Sequence, residues 1–164
     1  MWTCPICCIT TYLSANILNS SMTVKIVKRM RDETITASPQ TSIKEIANMM
    51  AEHGVGCVII THMESPIGII TDRDIVLRVV AKGKNYDILV EEVMTKDILV
   101  AHENDQIRDV VKIMREKSIR RIPVIDNNGN LSGIVTFDDI FVELADEIFN
   151  LSRIPRAGMP PKTY

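Results

Sequence analysis

Gly68-Ile69-Ile70-Thr71-Asp72-Arg73-Asp74 and Gly133-Ile134-Val135-Thr136-Phe137-Asp138-Asp139 are one pattern written twice. In each, an apolar run rich in β-branched residues meets Thr-x-x-Asp, the signature of a buried strand giving way to a helix. A hydroxyl and a carboxylate are thereby set at a helix N-terminus, where backbone N–H groups point outward without partners. Two N-caps account for this placement. A carboxylate accepting two hydrogen bonds from a ribose diol, as acidic residues do in other nucleotide folds, accounts for it equally. On the residues alone both readings stand.

Working outward, the repetition extends over most of the chain. An offset of 64 pairs Met30 with Met94, Ala37 with Ala101, Ile43 with Ile107, Met50 with Met114 and Glu52 with Glu116. One extra residue in the turn Asp126-Asn127-Asn128-Gly129-Asn130 raises the offset to 65, which pairs Gly68 with Gly133, Thr71 with Thr136 and Asp74 with Asp139. Each copy reads as strand, helix, strand, strand, helix. In the first, Thr34 to Ala37 is a strand and Ser42 or Thr41 caps a helix carrying Ile43, Ile46, Ala47 and Met50 on one face. That helix stops near Gly54; Val55 to Thr61 and Ile67 to Ile70 form a hairpin, and Asp72 to Lys82 a second helix. The second copy follows with Ile98 to Ala101, Gln106 to Lys117, Arg121 to Ile125, Leu131 to Val135 and Asp138 to Phe149. A unit of roughly 55 to 60 residues buries a small sheet poorly by itself, so the two copies are expected to complete one core by pairing. The methionines at 49, 50, 94 and 114 read as gap-filling core.

Composition narrows the function. The chain has 164 residues, with 19 Lys plus Arg against 21 Asp plus Glu, so it lacks the basic field that holds nucleic acid nonspecifically. No apolar run approaches the roughly 18 to 20 residues of a membrane span, and residues 1–24 lack the basic start and apolar stretch of a secretory signal. A cytoplasmic protein is expected. Cys4, Cys7 and Cys8 provide a single C-x-x-C without the further ligands of a tetrahedral zinc site, so they read as part of a mobile tail, with a metal site shared between two chains as the alternative. Cys57 falls in an apolar run and reads as a small buried hydrophobe. His53, His62 and His102 stand at helix ends or turns without a sequence partner, and no nucleophile-base pair or Gly-rich phosphate loop occurs, so no enzyme is expected.

The paired G-h-h-T-x-x-D ends, the strand openings Val55-Gly56 and Ile119-Arg120-Arg121-Ile122-Pro123-Val124, and Met94-Thr95 before the second copy resemble the CBS-domain family, over about residues 24–150. The resemblance is to a stand-alone tandem pair of prokaryotic or archaeal type, without an appended catalytic or transport domain. It implies an α/β (α+β) fold of two β-α-β-β-α motifs packed sheet to sheet with pseudo-twofold symmetry. The expected divisions are a tail over 1–23, motifs over 24–84 and 85–150, and a tail over 151–164, with Met22 an alternative start that fits the family better. It also implies a regulatory role: AMP, ADP or ATP, with S-adenosylmethionine or NAD as further options, binds in one or both clefts. No cofactor is required, two pairs commonly form a homodimer, and the regulated protein is unidentified.

Carried over by residue, Thr71 and Asp74 contact the ribose in one cleft, whose walls are Leu99, Ile119 and Arg120. Thr136 and Asp139 do so in the other, whose walls are Ile35, Val55 and Gly56. Arg120 and Arg121 stand where the first copy has Gly56 and Cys57, so the clefts are expected to differ in phosphate binding. On alternating strand directions one of the two arginines faces the cleft and the other covers the surface. Arg73, Arg78 and Lys82 are further candidates, although a solvated helical face explains them as well. The competing function is a protein- or nucleic-acid-docking module with empty clefts, using the cysteine-bearing N-terminal tail or the segment from Arg153 to Lys162.

Overall fold

The computed structural model describes residues 34–153; Cys4, Cys7, Cys8 and most of both expected tails lie outside the described residues. Two three-stranded sheets form, each with a short first strand parallel to the central strand and an antiparallel hairpin on its other side. In the first motif these are β1 (Thr36–Ala37), β2 (Cys57–His62) and β3 (Ser65–Thr71), with helices α1 (Ile43–His53) and α2 (Asp72–Arg78). In the second they are β4 (Ala101–His102), β5 (Arg121–Ile125) and β6 (Leu131–Thr136), with α3 (Ile107–Lys117) and α4 (Phe137–Ser152). The repeated element order is therefore the one expected.

Strand alternation explains how one small sheet is buried on both faces. Val58 and Ile60 of β2 join Ile43, Ile46 and Met50 of α1 in one apolar cluster, and Ile122 and Val124 of β5 join Ile107, Val110 and Met114 of α3 in another. The alternate residues Ile59 and Ile134 are also buried, yet belong to neither cluster. They face the seam between motifs, where β3 packs against β5. A strip after the first motif seals its core: Val90, Val93 and Met94 are buried there, and Thr95 exchanges backbone hydrogen bonds with Ile69 at 2.9 and 3.0 Å. Gly68 makes this possible, because a Cβ at that position would lie 2.5 Å from the Met94 sulfur.

Ser42 caps α1 in a capping box with Glu45, and Gly54 ends the helix at φ 63°, a left-handed conformation that glycine adopts without a Cβ penalty. Met50, Met94 and Met114 are buried and Met49 is half-buried in the first core, as gap-filling predicts. Several expectations need correction. Ala47 is exposed, since the buried stripe of α1 narrows to Ile43, Ile46 and Met50. Asp72 to Lys82 is not one helix: α2 ends at Arg78, Val79 turns into the core, and a 3₁₀ turn follows over Val80–Lys82. β4 begins at Ala101, not Ile98, because Ala101 is the residue in register with Val124. The second hairpin strand extends through Thr136 and α4 spans Phe137–Ser152, starting one residue earlier and ending three later than expected.

Candidate ligand cavities at the seam

The two Thr-x-x-Asp sequences are both capping boxes. Thr136 Oγ1 accepts from the Asp139 N–H at 3.3 Å, while Asp139 Oδ2 accepts from the Thr136 N–H at 3.0 Å and from its hydroxyl at 2.6 Å. Thr71 and Asp74 repeat this at 3.2, 3.1 and 2.7 Å. Capping is thus the visible work of both carboxylates. A carboxylate offers about four lone-pair sites, so closing a helix and accepting from a diol are compatible duties for one group. The copies then diverge. Asp74 Oδ1 takes an ion pair from Arg78 at 2.8 Å, and the same guanidinium donates to the Val93 carbonyl at 2.6 Å and to Thr95 Oγ1 at 3.0 Å. Arg78 is committed to holding the strip between motifs; Arg73 and Lys82 are exposed.

Two cavities open where the sheets meet. The first, of about 120 Å³, is walled by Thr34, Ile35 and the backbone-rich stretch Gly54 to Cys57 on one side. Ile134, Thr136, Asp138 and Arg121 close it from the second motif. The other, of about 220 Å³, is lined by Ile98, Leu99, Ile119, Pro123 and Arg121, with Ile69, Thr95, Asp97 and Lys117. These are one place seen in two copies: Ile35 corresponds to Leu99, Val55 to Ile119, Ile59 to Pro123 and Ile134 to Ile69. The sequence-derived wall Ile35, Val55 and Gly56 is gathered with Thr136 in the first cavity, and Leu99 and Ile119 are gathered in the second. Thr71, Asp74 and Asp139 are not among the lining residues, and neither is Arg120. Asp139 stands next to Asp138 and three residues from Thr136, both of which line the first cavity.

The adjacent arginines separate as strand alternation requires. Arg120 lies outside, paired with Asp138 at 2.9 Å with both side chains 68% exposed, its guanidinium 5.4 Å from the Phe137 ring centroid. Its main chain has a structural duty, accepting the Phe137 N–H at 2.8 Å, as Gly56 accepts the Asp72 N–H at 3.3 Å. Arg121 points into the seam, and its Nη1 donates to the Gly56 carbonyl at 2.8 Å. Several lining residues escaped the sequence reading, Cys57, Asp138 and Lys117 among them. Cys57 is half-buried and lines the first cavity instead of filling the core, because its position corresponds to Arg121 at the mouth of a central strand. Asp138 and Lys117 were passed over, although the 64- and 65-residue offsets would have flagged both as sitting beside the repeated walls.

A family model for the CBS domain matches residues 24–81 and again residues 90–146. The chain belongs to the CBS-domain family. Among its relatives, the uncharacterized protein MK0525 of Methanopyrus kandleri is 43% identical over 119 residues, which cover 71% of this chain and 61% of that protein. An inosine-5′-monophosphate dehydrogenase of Thermoplasma acidophilum is 34% identical over 124 residues, covering 71% of this chain but 24% of that enzyme. The likeness to the enzyme is thus confined to a minor part of it. The crystal structure of the CBS domain pair of protein MJ0100, in complex with 5′-methylthioadenosine and S-adenosyl-L-methionine, superposes with a TM-score of 0.70 at 29% identity, covering 78% of this chain and 99% of that one. The pairing of two CBS motifs is therefore common to both chains. Among the described residues no helix is long and apolar enough to cross a membrane, and no group of three or more His, Cys, Asp or Glu could hold a metal ion. His53, His62 and His102 are all exposed.

Proposed function

We propose that this CBS pair is a regulatory module, not an enzyme, that senses an adenosyl ligand of the AMP, ADP or ATP type in the first cavity. The observation that carries the reading is the lining of that cavity: Ile35 and Gly54 to Cys57 on one wall, Thr136 and Arg121 on the other. A flat base is held by apolar walls plus main-chain hydrogen bonds, and phosphate oxygens by charge-assisted bonds from arginine. The MJ0100 pair, with its adenosyl ligands, supports the same class of ligand here. The first cavity, at about 120 Å³, is well below the roughly 300 Å³ at which ligand pockets usually begin. Its walls come from both motifs, so a bound ligand touches both. A ligand that prefers one arrangement of the two motifs shifts the population toward it, which is the physical content of sensing.

The surface for passing on that shift lies on the last helices. Phe141, Ile148 and Phe149 of α4 are 60–68% exposed, and Val76 and Leu77 of α2 are exposed as well. Monomers seldom leave so much apolar surface in water. A second copy of the chain is its partner in this reading, with a regulated protein still to be identified. Isothermal titration with AMP, ADP, ATP, NAD and S-adenosylmethionine tests the proposal. At least one gives saturable heat, and Asp139→Asn, which retains a capping side chain, weakens it. Absence of heat from the whole panel refutes the sensor reading. Unchanged affinity in the variant refutes the ribose assignment alone.

A further inference from the structure

Arg121 lines both cavities. It is the first residue of β5, half-buried in the seam, and its guanidinium is anchored on the Gly56 carbonyl of the opposite motif. Among the described residues that line the first cavity it is the sole cation; Asp138, also in the lining, is paired with Arg120. The second cavity has Lys117 in addition, and Asp97. Exact duplication of the motif would place a second guanidinium at residue 57, but the chain has Cys57 there. One arginine therefore stands where a symmetric pair would have two.

We infer that Arg121 is shared between the cavities, so that an anionic ligand in one lowers the affinity of the other for an anion. This rests on the reading of the cavities as adenosyl-ligand sites and adds how the two sites communicate. A guanidinium is a rigid planar fork that serves one phosphate bidentately at a time. Turned toward the second cavity, it leaves the Gly56 carbonyl with only the Asp72 N–H at 3.3 Å, and leaves the first cavity with Asp138 as its charged wall. A phosphate there then meets no cation among the described residues of the lining. Turned toward the first cavity, it leaves Lys117 to the second; the penalty is the same whichever ligand binds first, because linkage is reciprocal. An uncharged nucleoside makes no claim on the guanidinium and leaves the other site unaffected. The chain thus holds one phosphate-bearing ligand tightly, with a neutral adenosyl ligand admitted beside it.

The experiment titrates AMP and adenosine, separately and with each preloaded before the other, into the wild-type chain and Arg121→Gln. The first AMP binds at least about tenfold more tightly than the second, the difference a charge-assisted hydrogen bond makes. Preloaded adenosine leaves AMP affinity at the remaining site within about twofold of its unliganded value, a difference too small to reflect a lost charge-assisted bond. In Arg121→Gln the gap between the two AMP events closes, through weakening of the first. Two equal AMP sites in the wild type, a gap that survives in the variant, or equal antagonism by adenosine each overturn the inference while leaving the ligand-site reading intact. If neither compound binds, the ligand-site reading falls and this inference with it. Should Arg121→Gln fail to fold, the contrast between adenosine and AMP in the wild type decides the matter alone.

Discussion

Thr136→Val separates the capping duty of Thr136 from its packing, because valine keeps the branched shape and removes the hydroxyl. Thr136 is 4% exposed, so water does not replace what is lost. Its hydroxyl accepts the Asp139 N–H at 3.3 Å and donates to Asp139 Oδ2 at 2.6 Å. Loss of an N-cap costs about 0.5–2 kcal/mol, and loss of a hydrogen bond to a charged group about 1.5–3 kcal/mol. The two overlap in one group and are partly offset by the extra buried methyl, which places the net cost at about 2 kcal/mol. Thr71→Val removes an equivalent pair of bonds from a half-buried site that water reaches, and costs about 1 kcal/mol. Urea unfolding followed by circular dichroism measures both, and a parallel thermal scan registers about 4 °C per kcal/mol for a domain of this size. The reasoning is refuted if Thr71→Val costs as much as Thr136→Val, or if the latter falls within about 0.5 kcal/mol of wild type, the usual range for inconsequential surface changes.

Three further outcomes follow from the same geometry. Gly54→Ala meets no atom within 4 Å but must adopt φ +63°, so it destabilises by about 1–2 kcal/mol in urea melts through backbone strain alone. The Ser42 backbone N–H, then the Ser42 hydroxyl, hold the Glu45 carboxyl below the ordinary range; the stabilisation over Glu45→Gln is full above about pH 4.3 and fades as pH falls through the depressed folded value, which paired melts between neutral and acid pH detect. Arg120→Ala breaks an exposed ion pair and a ring contact, changes stability by less than about 1 kcal/mol, and leaves AMP titration within error of wild type.

The offsets of 64 and 65 made the architecture readable, because a repeated order of elements needs only apolar periodicity and turn residues to be seen. Ser42, Gly54 and the paired capping boxes were legible for the same reason: caps are local. The break after Arg78 was not, since it depends on Arg78 reaching the Val93 carbonyl, fifteen residues away, and on Val79 turning inward to a core built partly from Val90 and Met94. Ala47 shows the same limit, as helical spacing gives a face but not its width. At the site, alternation along β5 foresaw that one arginine faces inward; which one depended on the strand starting at Arg121, where it could reach across the seam to Gly56. The carboxylates singled out in the sequence cap their own helices, and the case for a ligand now rests on the cavity walls beside them.

A crystal structure of the chain grown with saturating AMP tests the central claim most directly. The account predicts the base between Ile35 and the Val55–Gly56 main chain, the ribose hydroxyls on Asp139, and Arg121 lifted from the Gly56 carbonyl onto the phosphate. A nucleotide bound away from the seam, or a first cavity left as narrow and empty as without ligand, would contradict it.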